Sequence, residues 1–143
     1  MKTLFQALNA HETNQAWCVY SHFDVDGDVQ AYVIEALKCI KGSGLKIVVM
    51  STSPSISEAG LKAMSRYATT IILRDNIGYD FGSYKLGISY LMEIKAKPCK
   101  LLITNDSAYG PMKSLKSILK ISDSFDMFGM TDSIEINYHL QSY

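Results

Sequence analysis

The stretch Ile71-Ile72-Leu73-Arg74-Asp75-Asn76-Ile77-Gly78-Tyr79-Asp80-Phe81-Gly82 decides the fold. A short apolar run of strand character breaks into polar residues and glycine, and a helical stretch follows. The same change recurs downstream, where Leu101-Leu102-Ile103-Thr104 ends in Asn105-Asp106-Ser107. One crossover helix between two such strands brings both polar ends level on one edge of a parallel sheet. Ligands of open parallel sheets sit on that edge, because the loops there present backbone donors and short polar side chains at helix N-termini.

Outward from this stretch, apolar runs alternate with helical patterns along the chain. The pattern predicts strands at 16–23, 46–50, 70–73, 100–104 and 126–130, and helices at 28–41, 57–67, 82–97 and 112–121. In the first helix Val29, Val33, Leu37 and Ile40 recur at helical spacing before Gly42-Ser43-Gly44 stops it. Pro98 ends the third, and Pro111 stands near the first turn of the fourth, with Asp28 expected to cap the first. The expected fold is α/β, a three-layer sandwich with a mostly parallel central sheet, in a single domain over 1–143. The tail at 134–143 has no turn or cap and reads as a fold truncated at its C-terminus.

The 143 residues suffice to bury roughly two-thirds of the unfolded surface. Lys plus Arg and Asp plus Glu are 14 each, so no net field draws in nucleic acid or an anionic membrane, and any anionic ligand must be held locally. Cys18, Cys39 and Cys99 form no CxxC or paired spacing, with Cys18 and Cys99 in strand-like runs and Cys39 on a helix, which favours buried, reduced thiols. The N-terminus lacks a basic-then-apolar leader, and no apolar run nears the roughly 18 residues of a membrane span. A cytoplasmic protein is expected.

Three groups of residues carry candidate chemistry. His22-Phe23-Asp24-Val25-Asp26-Gly27-Asp28 closes the first strand with three carboxylates at alternate positions. It reads as a calcium loop, as an Asp-Gly turn before a helix, or as an Asp-x-Asp-Gly phosphohydrolase motif. In the last, similar to the haloacid dehalogenase superfamily, Asp24 is the nucleophile, Asp26 the acid/base, and Ser51 or Thr52 holds phosphate. Asn76-x-Gly78-x-Asp80-x-Gly82 precedes a helix, where tight backbone lets N–H groups approach a diphosphate or sugar, or where Asp80 or Ser83 makes an elaborate cap. Asn105-Asp106-Ser107 offers a carboxylate beside an amide and a hydroxyl, enough for one Mg²⁺ or Mn²⁺ when a substrate phosphate supplies the remaining ligands. A cap for the fourth helix is the structural alternative. His139, near the C-terminus, has no local partner in sequence.

Taken together, Tyr20-Ser21-His22-Phe23, Val48-Val49-Met50-Ser51-Thr52-Ser53, the Arg74 to Tyr84 block, the Leu101 to Pro111 block and His139-Leu140-Gln141-Ser142-Tyr143 resemble the rhamnan synthesis protein F family. That resemblance implies a GT-A-like glycosyltransferase domain serving rhamnan or lipopolysaccharide-type cell-surface polysaccharide, with hexosyl or rhamnosyl transfer as the reaction. By position it places the nucleotide sugar on His22, Ser51, Thr52, Arg74, Asn76, Gly78, Asp80 and Asn105. It places the metal, Mg²⁺ or Mn²⁺, on Asp106, and makes Asp106 and His139 the catalytic candidates. The implied partners are a nucleotide-diphosphate sugar and a polysaccharide or lipid-linked acceptor, with no nucleic acid. The implied location is the cytoplasm at the inner face of the membrane, beside membrane assembly machinery. The metal motif reads Asn105-Asp106-Ser107, with one carboxylate instead of two. A phosphohydrolase using Asp24, and a non-catalytic nucleotide-binding module, stay open beside the transferase.

Overall fold

The computed structural model describes residues 1–7, 14–107, 109–111 and 113–129, and the backbone of 132–133 and 139–140. Five strands, β1 (Lys2–Gln6), β2 (Ala16–His22), β3 (Lys46–Ser51), β4 (Thr70–Leu73) and β5 (Lys100–Asn105), form one sheet in the order β1-β4-β3-β2-β5. β2 to β5 run parallel and β1 lies antiparallel to β4. The crossovers carry α1 (Ala31–Gly42), α2 (Glu58–Ser65) and α3 (Tyr79–Glu93), and α4 (Lys116–Ile121) follows β5. A short pair, β6 (Asp132–Ser133) and β7 (His139–Leu140), stands apart from the sheet in its pairing.

Central β2 is covered on both sides, as parallel strands require. Its alternation sends Cys18 and Tyr20 to one core with Ile47, Val49 and Ile71 beneath Val33, Leu37, Ile40 and Met64 of α1 and α2. It sends Trp17 and Val19 to a second core with Val48, Met50 and Ile72 beneath Tyr84, Tyr90 and Leu91 of α3. Two cores on opposite faces make the three layers. The approach of α3 depends on Gly87, where an added Cβ would collide with Val19 Cγ1 and lie 3.0 Å from its Cγ2.

Several expectations need correction. β1 was not read from the sequence. It is a short edge strand with polar ends and a register shift between Thr3 and Phe5, so no clean alternation marks it. No strand forms at 126–129, and Met130 lies outside the described residues. α4 starts at Lys116, not 112, because the preceding segment is held on the end of α1: Cys39 Sγ donates to Lys113 O, and Leu115 N donates to Ser43 Oγ at 2.8 Å. α3 starts at Tyr79, three residues early, since Gly78 turns the chain in the left-handed region (φ 77°). α1 has Gln30 at its N-cap without a side-chain cap, so Asp28 does not cap it. Cys18 is buried, but Cys39 is half-buried and Cys99 is exposed just ahead of β5; all three are free.

Gly87→Ala tests the packing. Alanine adds about 1 kcal/mol of helix propensity, while overpacking against Val19 costs roughly 1–3 kcal/mol, so we expect a net loss on chemical denaturation. The loss should shrink in a Val19→Ala background.

Candidate functional site

The parallel strands run β4-β3-β2-β5, so the direction of winding reverses between β2 and β5. That reversal opens a crevice at the carboxyl ends, the ligand position of such sheets. The edge divides into a cleft over β3 and β4 and a corner between β2 and β5.

The cleft encloses about 450 Å³ and is lined by Lys2, Phe23, Thr52, Ser53, Arg74, Asp75 and Asn76, with Met1, Pro54 and Leu73. Beneath it lies a buried polar chain. His22 Nδ1 and Ser51 Oγ are 3.0 Å apart, and the Ser51 hydroxyl donates to Ser53 Oγ at 3.1 Å. Ser53 Oγ in turn accepts the Asp24 N–H at 2.9 Å. Burial pushes the His22 imidazole below its usual pKa, against a smaller upward pull from Asp24.

Arg74 is 6% exposed. Its Nη1 donates to Ser83 Oγ at 2.9 Å and Tyr79 O at 3.3 Å, its Nη2 donates to Ile77 O, and Nε has no partner. The guanidinium therefore gathers the carbonyls of the 77–79 loop onto the start of α3. Gly82 has no Cβ because one there would strike Ile77 O and lie 2.8 Å from Arg74 Nη2. Asn76 stays exposed at the cleft rim.

At the corner, Asp80 reaches from the first turn of α3 to both strands. Its Oδ1 accepts from Ser21 Oγ at 2.7 Å and its Oδ2 from Asn105 Nδ2 at 2.8 Å. Asn105 Oδ1 in turn accepts the Ser107 N–H at 3.3 Å. The half-buried Asp106 accepts the Phe23 N–H on Oδ2 at 2.8 Å. Burial raises the Asp106 pKa; the bond from Phe23 N opposes this, while Asp80 and Asp24 push it further up.

The structure thus sets Thr52, Arg74 and Asn76 around one cleft, His22 and Ser51 under its floor, and Asp80, Asn105 and Asp106 at the adjoining corner. Gly78 shapes the loop between them. Two site residues are not assigned from the sequence: Lys2, which only the pairing of Lys2 with Leu73 brings to the cleft, and Phe23, which lines the cleft while its N–H holds Asp106. The side chain of His139 lies outside the described residues; its backbone pairs with Ser133. Asp24 accepts from Asp26 N and Asp28 N at 3.0 Å each and from Gln30 Nε2 at 3.3 Å, and these bonds lower its pKa. It closes the turn before α1, with both oxygens engaged, which is not how a nucleophile is presented.

The described residues form no cage of their own for Mg²⁺ or Mn²⁺; a cation here would rest on Asp106 and on a substrate phosphate. No group of three His, Cys, Asp or Glu side chains among the described residues is arranged to hold a metal, and Asp80, the nearest second carboxylate to Asp106, has both oxygens engaged. Among the described residues no helix is long and apolar enough to cross a membrane.

Residues 47–143 match the family model described as rhamnan synthesis protein F. The chain is 39% identical over 99 residues to Virulence protein VirA of Vibrio anguillarum, covering 68% of this chain and 31% of that protein. It is 34% identical over 113 residues to Uncharacterized protein y4gN of Sinorhizobium fredii, covering 75% and 29%. The chain thus spans about a third of the length of the curated relatives it matches. No solved structure matches.

Two outcomes check this geometry. Asp80→Ala leaves the Ser21 hydroxyl and the Asn105 amide unpaired, and should lose about 3–6 kcal/mol by denaturant titration, since two hydrogen bonds to a charged group contribute about 1.5–3 kcal/mol each. His22 is held neutral in the fold, so its stabilising effect is complete above the unfolded pKa of about 6.5 and is lost as pH falls through its lowered folded value. Asp106, with a raised pKa, runs the other way and loses stability as pH rises. The difference in melting between parent and His22→Gln, followed from neutral to mildly acid pH, isolates the histidine and should narrow towards acid.

Proposed function

The chain belongs to the rhamnan synthesis protein F family, whose role is related to polysaccharide synthesis, and from that premise we propose that it binds a nucleotide-diphosphate sugar as the donor part of a glycosyltransferase. The supporting observation is the cleft over β3 and β4. Its size falls within the range of small-molecule sites, and it lies beside the winding reversal of a sheet whose parallel order is that of dinucleotide-binding folds. In this reading the domain is of GT-A type and the reaction is hexosyl or rhamnosyl transfer.

The cleft supplies what a nucleoside diphosphate needs. Lys2 offers an exposed cation, Asn76 an exposed amide, and Phe23 an exposed ring, over a floor that Thr52 and Ser53 make polar. The Arg74 guanidinium, whose described partners are carbonyls and a hydroxyl, keeps a positive field under the rim. The sugar then points past Phe23 to the corner, where Asp106 Oδ1 is the carboxylate oxygen not taken by the Phe23 N–H. An acceptor hydroxyl gives its proton to that oxygen as its own oxygen bonds the anomeric carbon. The bond from that carbon to the diphosphate breaks, and the nucleoside diphosphate leaves with the electron pair. The raised pKa of Asp106 matches this role. The relatives are about three times longer than the matched segment, so the acceptor and the assembly machinery belong to this proposal and not to the family assignment.

Calorimetric titration with uridine and thymidine diphosphates and their sugars tests it. Saturable binding is expected, weakened about tenfold in Asn76→Ala and in Lys2→Ala, as loss of one hydrogen bond or charge contact implies. Melting temperatures should be unchanged, since both side chains are exposed. Absence of binding by every diphosphate would refute the donor site.

A further inference from the structure

On the α1 side of the β2/β5 corner the chain sets out a group of tyrosines. Tyr32, in the first turn of α1, and Tyr109, past the end of β5, bring their rings to 4.4 Å between centroids, tilted by 42°. Tyr109 is 76% exposed, so its contact with Tyr32 buries little of it. Beneath them Tyr20 is fully buried, and its hydroxyl has no hydrogen-bond partner. Asp106 and Tyr32 both act electrostatically on the Tyr20 phenol, and Asp106, Tyr109 and Asp24 act on Tyr32. These groups therefore share one small region beside the Asp106 carboxylate, whose Oδ2 takes the Phe23 N–H.

Charge decides what such a region accepts. The ionisable groups acting on Asp106 are the carboxylates of Asp80 and Asp24, and no basic side chain is among them. An anion is repelled there, and a cation finds no set of three ligands. A neutral polyol suits both parts: its hydroxyls donate charge-assisted hydrogen bonds to the Asp106 carboxylate, and its C–H groups, slightly positive, lie against the negative face of an aromatic ring.

We propose that Tyr109 and Tyr32, with the Asp106 carboxylate beside them, seat an uncharged saccharide ring, the acceptor of the transfer. The ligand class rests on the glycosyltransferase reading; the location rests on the tyrosines and the charge. The ring stacks on Tyr109, one hydroxyl donates to Asp106 Oδ1, and Phe23 stands between this seat and the cleft, so the accepting hydroxyl meets the donor sugar at Asp106.

The test is a nuclear magnetic resonance titration of the chain with methyl α-rhamnopyranoside, and with methyl α-glucopyranoside as a second neutral sugar. Saturable shifts of the Tyr109 and Tyr32 ring protons are expected with at least one of them. Affinity should stay within about twofold in Tyr109→Phe, which keeps the aromatic face, and fall at least about fivefold in Tyr109→Ala and Tyr109→Leu, in line with the worth of one aromatic contact. The leucine variant keeps the bulk, so a loss in a chain that melts like the parent reports the ring and not the fold. No saturable shift with either sugar, or unchanged affinity in both the alanine and the leucine variant, overturns the proposal. A parallel titration with uridine diphosphate separates the two readings. Diphosphate binding without saccharide binding overturns the seat and leaves the donor cleft standing. Saccharide binding without diphosphate binding supports the seat and defeats the donor reading.

Discussion

The corner of the sheet is fastened by one carboxylate. Asp80 accepts from Ser21 at the end of β2 and from Asn105 at the end of β5, two strands that meet where the winding of the sheet reverses. Such a reversal is structurally expensive, because the loops on either side lead away from each other and leave the strand ends to splay. The carboxylate sits in the first turn of α3, where the positive end of the helix dipole favours it, and its donors are a hydroxyl and an amide instead of a cation. Asp80 thereby closes the edge without neutralising it, and the neighbouring Asp106 feels its charge.

The placing of Asp80 depends in turn on the loop before α3. Gly78 provides the left-handed turn, and Arg74 collects Ile77 O, Tyr79 O and Ser83 Oγ, so α3 begins at a defined height above the sheet. Gly82 and Gly87 then let the helix lie close, the first over the loop carbonyl and the second over Val19. Most of the conspicuous block from Arg74 to Gly82 is thus committed to building the edge. Asn76, exposed at the cleft rim, takes no part in that framework.

This division explains what was legible in the sequence. The central parallel strands were readable because burial on both faces leaves continuous apolar runs, and 70–73 was read to the residue. β1 was not, since an edge strand with Lys2 and Gln6 at its ends shows no such run. The block at Asn76 was recognisable as unusual, and the reasons were not, because they lie in residues far along the chain: Ser21 is 59 residues from Asp80, and Asn105 is 25. Asp24 shows the converse. Its motif suggested nucleophilic chemistry, while the local N–H groups of Asp26 and Asp28 suffice to explain it as a turn. Short-range spacing marks a special backbone; only the sheet register says which of its side chains remain free.

The two halves of the edge also differ in charge, and the difference bears on direction of transfer. Lys2 and the carbonyl-bound Arg74 lie by the cleft with one carboxylate, Asp75, while Asp80 and Asp24 both act on Asp106 at the corner. This polarity favours an anionic group at the cleft over one at the corner. A nucleotide sugar entering with its diphosphate over the corner would set like charges together, whereas the reverse orientation sets the diphosphate by the cations and the sugar by Asp106. Burial first, and then the charges of Asp80 and Asp24, hold the proton affinity of Asp106 up. The anchoring of Asp80 fixes one of those charges in place, so the polarity of the edge and part of the basicity of Asp106 follow from the same two hydrogen bonds.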